Sequence, residues 1–327
     1  MDMKGSIAAI KDAITKSTAE RTSPEVISAA YAVVYLIGGV LLASARLLGA
    51  AGPFGMAAVA ASGAGLNGVA ALIGAAIGYI ISCGLAGSIR YLAAIVLVYT
   101  ISFAFQDTKL ASKSVFAPAT AAVSALSTGI LSSFTSVFTQ APAAAVVLIE
   151  TVFSFGGCWF FREAMSGREH TTESEELRYA GSVLITAAVL LMAVSQIEIF
   201  GAISLGRLVA VLIVMTCTLR CGIMTGCTIG TAFGIAMDLT AGGMPFYTMA
   251  YAFAGLLSGM FNRHGRLLFL LSFIIANAAA VACAWAFSAR TVATSTTAAG
   301  CSPAARHLMS RNFSAPRSAP KPASVTG

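Results

Sequence analysis

The chain has 327 residues, of which 57% are apolar and 10% charged. A soluble globular domain carries about 25% charged residues, so this balance excludes that class and points to a chain that lives in a bilayer. The formal net charge is +7. Its location matters more than its size, because five cations (Arg290, Arg306, Arg311, Arg317, Lys321) and no acid follow residue 289, leaving the rest nearly neutral.

A transmembrane helix needs about 20 mostly apolar residues, and residues 26–287 are one apolar tract after another. The apolar runs do not alternate as those of a membrane β-barrel would. The expected fold is therefore all-α, a polytopic membrane helix bundle of about 9 to 11 transmembrane helices.

In chain order, residues 1–25 read as a cytoplasmic amphipathic lead, with Ile7, Ile10 and Ile14 on one helical stripe. Thr22, Pro24 and Glu25 supply a helix start. A first span covers 28–48. After Gly52-Pro53-Phe54-Gly55, residues 56–65 and 66–81 are too long for one untilted span and suit two short helices. Arg90 opens the next, to Phe105, before a loop with Asp107, Lys109 and Lys113. Tracts 116–138 and 143–161 are joined by a tight hairpin at 139–142. The longest polar interval is 162–178, and 179–199 spans again. Residues 203–237 would make a helix of roughly 50 Å at 1.5 Å per residue, so a break is expected near Arg220 to Gly222. Tracts 246–261 and 267–287 flank a basic loop holding Arg263, His264 and Arg266. With the N-terminus inside and both long tracts split, the Lys/Arg-bearing loops all fall on the cytoplasmic side. That arrangement has eleven spans and leaves the basic tail, 288–327, outside.

Three features carry weight as motifs. Gly222, Gly226, Gly230 and Gly234 form a ladder at intervals of four, repeated by Gly255/Gly259 and Gly74/Gly78. Each is a smooth face for close helix approach, within the molecule or in an oligomer. Glu150 is a lone charge in an apolar tract, expected to be a proton or cation site of a transporter, a hydrogen-bonded carboxyl facing neighbouring helices, or one paired with a cation such as Arg46. Cys217, Cys221 and Cys227 are the nearest approach to a ligand cluster, but His170, His264 and His307 lie in loops or the tail. No paired carboxylates, phosphate-binding glycine loop or Ser/His/Asp set marks an enzyme, no cofactor or metal site is expected in the chain, and the short basic tail with no folded module around it does not suggest nucleic-acid binding.

Residues 42–55, with Arg46, Pro53, Phe54 and Gly55, resemble the first hairpin of the membrane domain of stage II sporulation protein E. Residues 251–267, with Gly255, Gly259, Arg263 and Gly265, and 273–277 resemble that family's late membrane motif; Ile89-Arg90-Tyr91 and residues 125–129 also fit. The resemblance covers roughly 28–287. It implies a multispanning anchor, held at the sporulation septum of a bacterial cell membrane and self-associating there, with the lipid bilayer and a tubulin-like cell-division protein as partners. In full-length members the anchor carries a PPM-type serine phosphatase that uses two divalent metal ions, manganese or magnesium, and dephosphorylates an anti-anti-sigma factor to activate the forespore sigma factor. This sequence departs from that plan. Its only aspartates are Asp2, Asp12, Asp107 and Asp238, none followed by Gly, so the metal-binding motifs of the phosphatase are absent. The tail is expected to arise by truncation or a shifted frame after about Phe287, with natural low-complexity disorder as the competing account.

Overall fold

The computed structural model describes residues 24–49, 51–134, 144–166, 172–199, 203–241, 246–261 and 265–298. The amphipathic lead, the 139–142 hairpin, Arg263, His264 and the tail beyond Ala298 lie outside these described residues. The architecture is all-helical: α1 Pro24–Ser44, α2 Pro53–Ser62, α3 Leu66–Ala104, α4 Phe116–Phe134, α5 Ala144–Ala164, α6 Glu173–Val194, α7 Leu205–Cys221, α8 Ile223–Ala241, α9 Phe246–Met260 and α10 Arg266–Ala298. A two-residue antiparallel pairing, β1 Glu198–Ile199 with β2 Ile203–Ser204, closes the α6–α7 connection. Among the described residues four helices, α3, α5, α6 and α8, are long and apolar enough to cross a membrane.

The long helix α3 is folded in two. Gly84 interrupts it with φ 69° and ψ 168°, a conformation essentially confined to glycine. The two limbs run back along each other, since Tyr79 stacks on Tyr91 at 4.7 Å between ring centroids and the Tyr99 hydroxyl donates to the Ala64 carbonyl. The second limb therefore starts at 85, ahead of the expected Arg90. Gly222 repeats the device between α7 and α8 with φ 88° and ψ −172°, placing the break where helix length required one. A Cβ at Gly222 would meet nothing within 4 Å, so its requirement is backbone alone. Gly222→Ala should cost about 1–3 kcal/mol of strain without loss of packing, read as a lower unfolding midpoint with unchanged helical circular dichroism.

Contacts between neighbours fix the direction of each limb. Gly74 lies against the Leu36 carbonyl and Gly78 against that of Val40, so α1 and the first limb of α3 are parallel. Gly129 faces Val147 while Arg162 reaches the Ser114 carbonyl, making α4 and α5 antiparallel, and Gly230 and Gly234 face Tyr251 and Thr248, making α8 and α9 antiparallel. Among the described residues the path runs through eleven helical limbs. The Arg162–Ser114 and Arg178–Glu163 bonds, and Gly259 against Ile223 while Leu48 meets Leu239 at the far end of α8, place Lys113, Arg162, Arg178, Arg220 and Arg266 at one end of the bundle, with Lys109 in the same loop as Lys113. Arg46, Arg90 and Arg207 belong to the other half.

The packing is inverted relative to a protein in water. The buried set is dominated by Ala, Gly and Ser with a few aromatics, whereas Val34, Ile37, Ile81, Leu85, Leu131, Val152 and Leu267 are exposed. Small residues inside and large aliphatics outside are the pattern of helices that associate by close packing in lipid. Helix α2 is the exception in length, at 10 residues. It is buried from Pro53 to Ala60 and packed among α1, α3, α4 and α5.

Three further differences from the sequence expectations have local causes. The span expected over 179–199 ends at Val194, because the chain turns there and the Ser204 hydroxyl and Leu205 amide bond back to the carbonyls of Ser195 and Ile197. The 162–178 interval is shorter than its polarity suggests, since α5 carries Arg162 and α6 carries Arg178. Helix α10 continues through Ser288 to Ala298, past the expected end at Phe287.

Candidate functional site

Helix α5 presents Val147, Glu150, Ser154, Gly157, Cys158 and Phe161 on one buried face, a 3–4 periodicity that turns this stripe toward α2. Gly157 has no Cβ, and a Cβ there would lie 3.3 Å from that of Ala57. The close approach brings the Ser154 hydroxyl to the Pro53 carbonyl at 3.2 Å. It sets Glu150, which is 0% exposed, against the start of α2.

Three groups converge on the Glu150 carboxylate through four hydrogen bonds. Arg90 Nη2 donates to Oε1 at 2.6 Å and to Oε2 at 2.5 Å, the Tyr91 hydroxyl donates to Oε1 at 2.7 Å, and the Gly52 amide donates to Oε1 at 3.3 Å. The Arg90 guanidinium also lies over the Tyr91 ring, 4.5 Å from its centroid. The cation expected opposite Glu150 was one such as Arg46; the residue that fills the role is Arg90. Arg46 instead donates to Cys83 Sγ at 2.6 Å, tying the loop after α1 to the Gly84 turn. Arg90 Nη1 is buried without a hydrogen bond among the described residues, so one nitrogen holds the pair where a two-nitrogen fork would be stronger.

Tyr79 completes the joint. Its hydroxyl donates to the Gly52 carbonyl at 2.5 Å and accepts from the Met56 amide at 3.2 Å. Those two backbone groups are four residues apart, so the hydroxyl is inserted into the first hydrogen bond of α2. Gly55 makes room for it, since a Cβ there would collide with the Tyr79 ring. Phe54 packs edge-on to Phe153 at 6.1 Å between centroids. Thus Pro53, Phe54 and Gly55 surround the same joint as Glu150.

A second carboxylate works in a related way. Asp238, near the end of α8, accepts from the Tyr247 and Thr248 amides at 2.8 Å each and from the Thr248 hydroxyl at 2.5 Å. These amides belong to the first turn of α9, whose N–H groups have no partner within the helix. Both carboxylates therefore meet backbone donors at a helix start, where the helix dipole favours negative charge. Chemically, the Glu150 centre is a neutralised, hydrogen-bonded strut joining α2, α3 and α5.

The glycine faces lie within the molecule. Gly230 and Gly234 sit on the backbone of α9, Gly255 and Gly259 on α8, and Gly74 and Gly78 on α1. Gly226 faces the Thr218 side chain across the break, and Gly222 is the break itself, outside the packing ladder. Gly265, with φ 111°, precedes α10. Cys217 and Cys221 are on α7, and Cys227 is on α8. Sequence reasoning missed Arg90 and Tyr91 as partners of Glu150, and Tyr79 as the hydroxyl that bridges Gly52 and Met56 beside them. The signal available was that Arg90 is the lone charge in the tract between Arg46 and Asp107. Comparison with family models, with curated proteins and with solved structures finds no match.

Proposed function

We infer that the chain is a multi-pass membrane anchor of the stage II sporulation protein E type, with about 9 to 11 transmembrane passes and no catalysis of its own. In this reading α2 is a half-length pass held inside the bundle by the Glu150 strut, and the end bearing Lys109, Arg162 and Arg220 faces the cytoplasm. The anchor sits at a bacterial sporulation septum, self-associates there, and engages a tubulin-like division protein.

The observation that carries this reading over a transporter is the engagement of Glu150. Both carboxylate oxygens accept from Arg90, and the side chain is fully buried. A carboxylate that carries protons or cations must release its partner and meet water on each cycle, whereas a neutralised strut is better suited to holding three helices together. The glycine faces, taken up by intramolecular packing, leave self-association to the exposed aliphatic surface.

Two measurements test the proposal. Reconstituted vesicles holding the full chain should show no proton or cation flux above empty vesicles; flux that disappears in Glu150→Gln would establish transport instead. A fluorescent protein fused ahead of Met1 should concentrate at the polar septum of a sporulating rod-shaped cell, and uniform membrane fluorescence there would count against the septal role.

A further inference from the structure

At the basic end of the bundle, a cavity of about 300 Å³ opens among Tyr35, Ala61, Ser114, Trp159, Arg162 and Glu163. Its volume is at the lower bound of small-molecule sites, about 300 to 1,000 Å³. Its chemistry has two poles. Arg162 Nη1 donates to the Ser114 carbonyl at 3.1 Å, which orients the guanidinium while engaging one of its nitrogens. Glu163 Oε1 accepts from Arg178 Nε at 3.1 Å and Nη2 at 3.0 Å, which fixes the carboxylate on the wall through one oxygen. The cavity also meets the C-terminal ends of α2 and α5, close to Ala61 and Glu163. Helix C-termini carry partial negative charge and favour cations, and Trp159 and Tyr35 add aromatic faces that attract an ammonium group.

A purely anionic ligand would face Glu163 and two helix C-termini, and a purely cationic one would face Arg162. We propose that this cavity binds the zwitterionic headgroup of an aminophospholipid, phosphatidylethanolamine in particular, with the phosphate on Arg162 and the ammonium on Glu163 and the aromatic faces. The inference rests on the reading that this end lies at the membrane surface. There an Arg, a Trp and a Tyr are the expected interfacial residues, and a headgroup arrives already concentrated by its acyl chains.

Trp159 is itself the reporter. The chain has two tryptophans, so Trp285→Phe leaves Trp159 alone. The full chain with that change is placed in phosphatidylcholine vesicles containing bromine-labelled phosphatidylethanolamine, phosphatidylglycerol or phosphatidylcholine, and Trp159 quenching is measured. Phosphatidylethanolamine should be enriched at the site roughly tenfold over the other two, the worth of one charged hydrogen bond. Both Arg162→Ala and Glu163→Gln should abolish that preference, and Glu163→Gln carries the test if Arg162→Ala fails to fold. Equal quenching by all three lipids overturns the proposal while leaving the membrane placement intact. Quenching by none overturns both. If free O-phosphoethanolamine shifts Trp159 emission as strongly as the lipid does, a soluble amine phosphate is the ligand and the lipid assignment fails.

Discussion

Glu150→Ala should destabilise the bundle by about 3–5 kcal/mol, the usual cost of leaving one member of a buried ion pair without its partner. The guanidinium of Arg90, 12% exposed at its side chain and lying over the Tyr91 ring, would then lose its carboxylate. The Gly52 amide and Tyr91 hydroxyl would lose their acceptor as well. The double change Arg90→Met with Glu150→Leu should recover most of the loss, because two apolar side chains of similar volume need no partners. Unfolding in mixed micelles titrated with a denaturing detergent reads both effects. A double variant no more stable than Glu150→Ala would mean that the pair has no reciprocal role and that Glu150 matters for another reason.

The double variant also separates structure from chemistry. A strut can be replaced by any well-packed contact, whereas a proton or cation site cannot. If Arg90→Met with Glu150→Leu restores stability and septal recruitment together, the carboxylate contributes only by holding helices. Recovery of stability alone would show that the charge itself is used. The experiment thereby tests the anchor reading at the residue on which it rests.

What was legible in the sequence was governed by length and by local chemistry. The break at Gly222 follows because a tract of roughly 50 Å as one helix exceeds a hydrocarbon core of about 30 Å, and glycine is the residue that permits the turn. The separation of α2 from α3 follows in the same way. Glu150 stood out because a lone acid in an apolar tract demands a partner. Its actual partner was not legible, because the Arg90–Glu150 contact exists only after the chain doubles back at Gly84 and brings the second limb of α3 beside α5. The tract lengths place a turn between 81 and Arg90, but nothing in the local pattern there says that Gly84 makes it or which helix Arg90 then faces. The Tyr79 hydroxyl inside the first turn of α2 is likewise a product of three-dimensional packing, permitted by Gly55 but not announced by it. The basic end was legible as a set of loops; the cavity there needed the convergence of α1, α2, α5 and the loop before α4.

Helical glycines should divide into two classes when replaced by alanine, and the division is large enough to measure. A Cβ at Gly230 would collide with the Tyr251 carbonyl, and one at Gly234 with the Thr248 backbone. Backbone cannot rotate aside as a side chain can, so α8 and α9 must separate along their length. At Gly156 a Cβ meets nothing within 4 Å. Gly230→Ala should therefore cost about 1–3 kcal/mol as an overpacked contact. Gly156→Ala should stabilise by up to about 1 kcal/mol through helix propensity. The opposite signs arise from the same chemical change, so a general effect of alanine on helix insertion cannot produce them. Detergent-titrated unfolding of the two variants beside the parent gives the comparison directly. If Gly230→Ala were as stable as Gly156→Ala, the α8–α9 seam would be looser than these contacts require, and the glycine ladder would be free to serve an intermolecular contact instead.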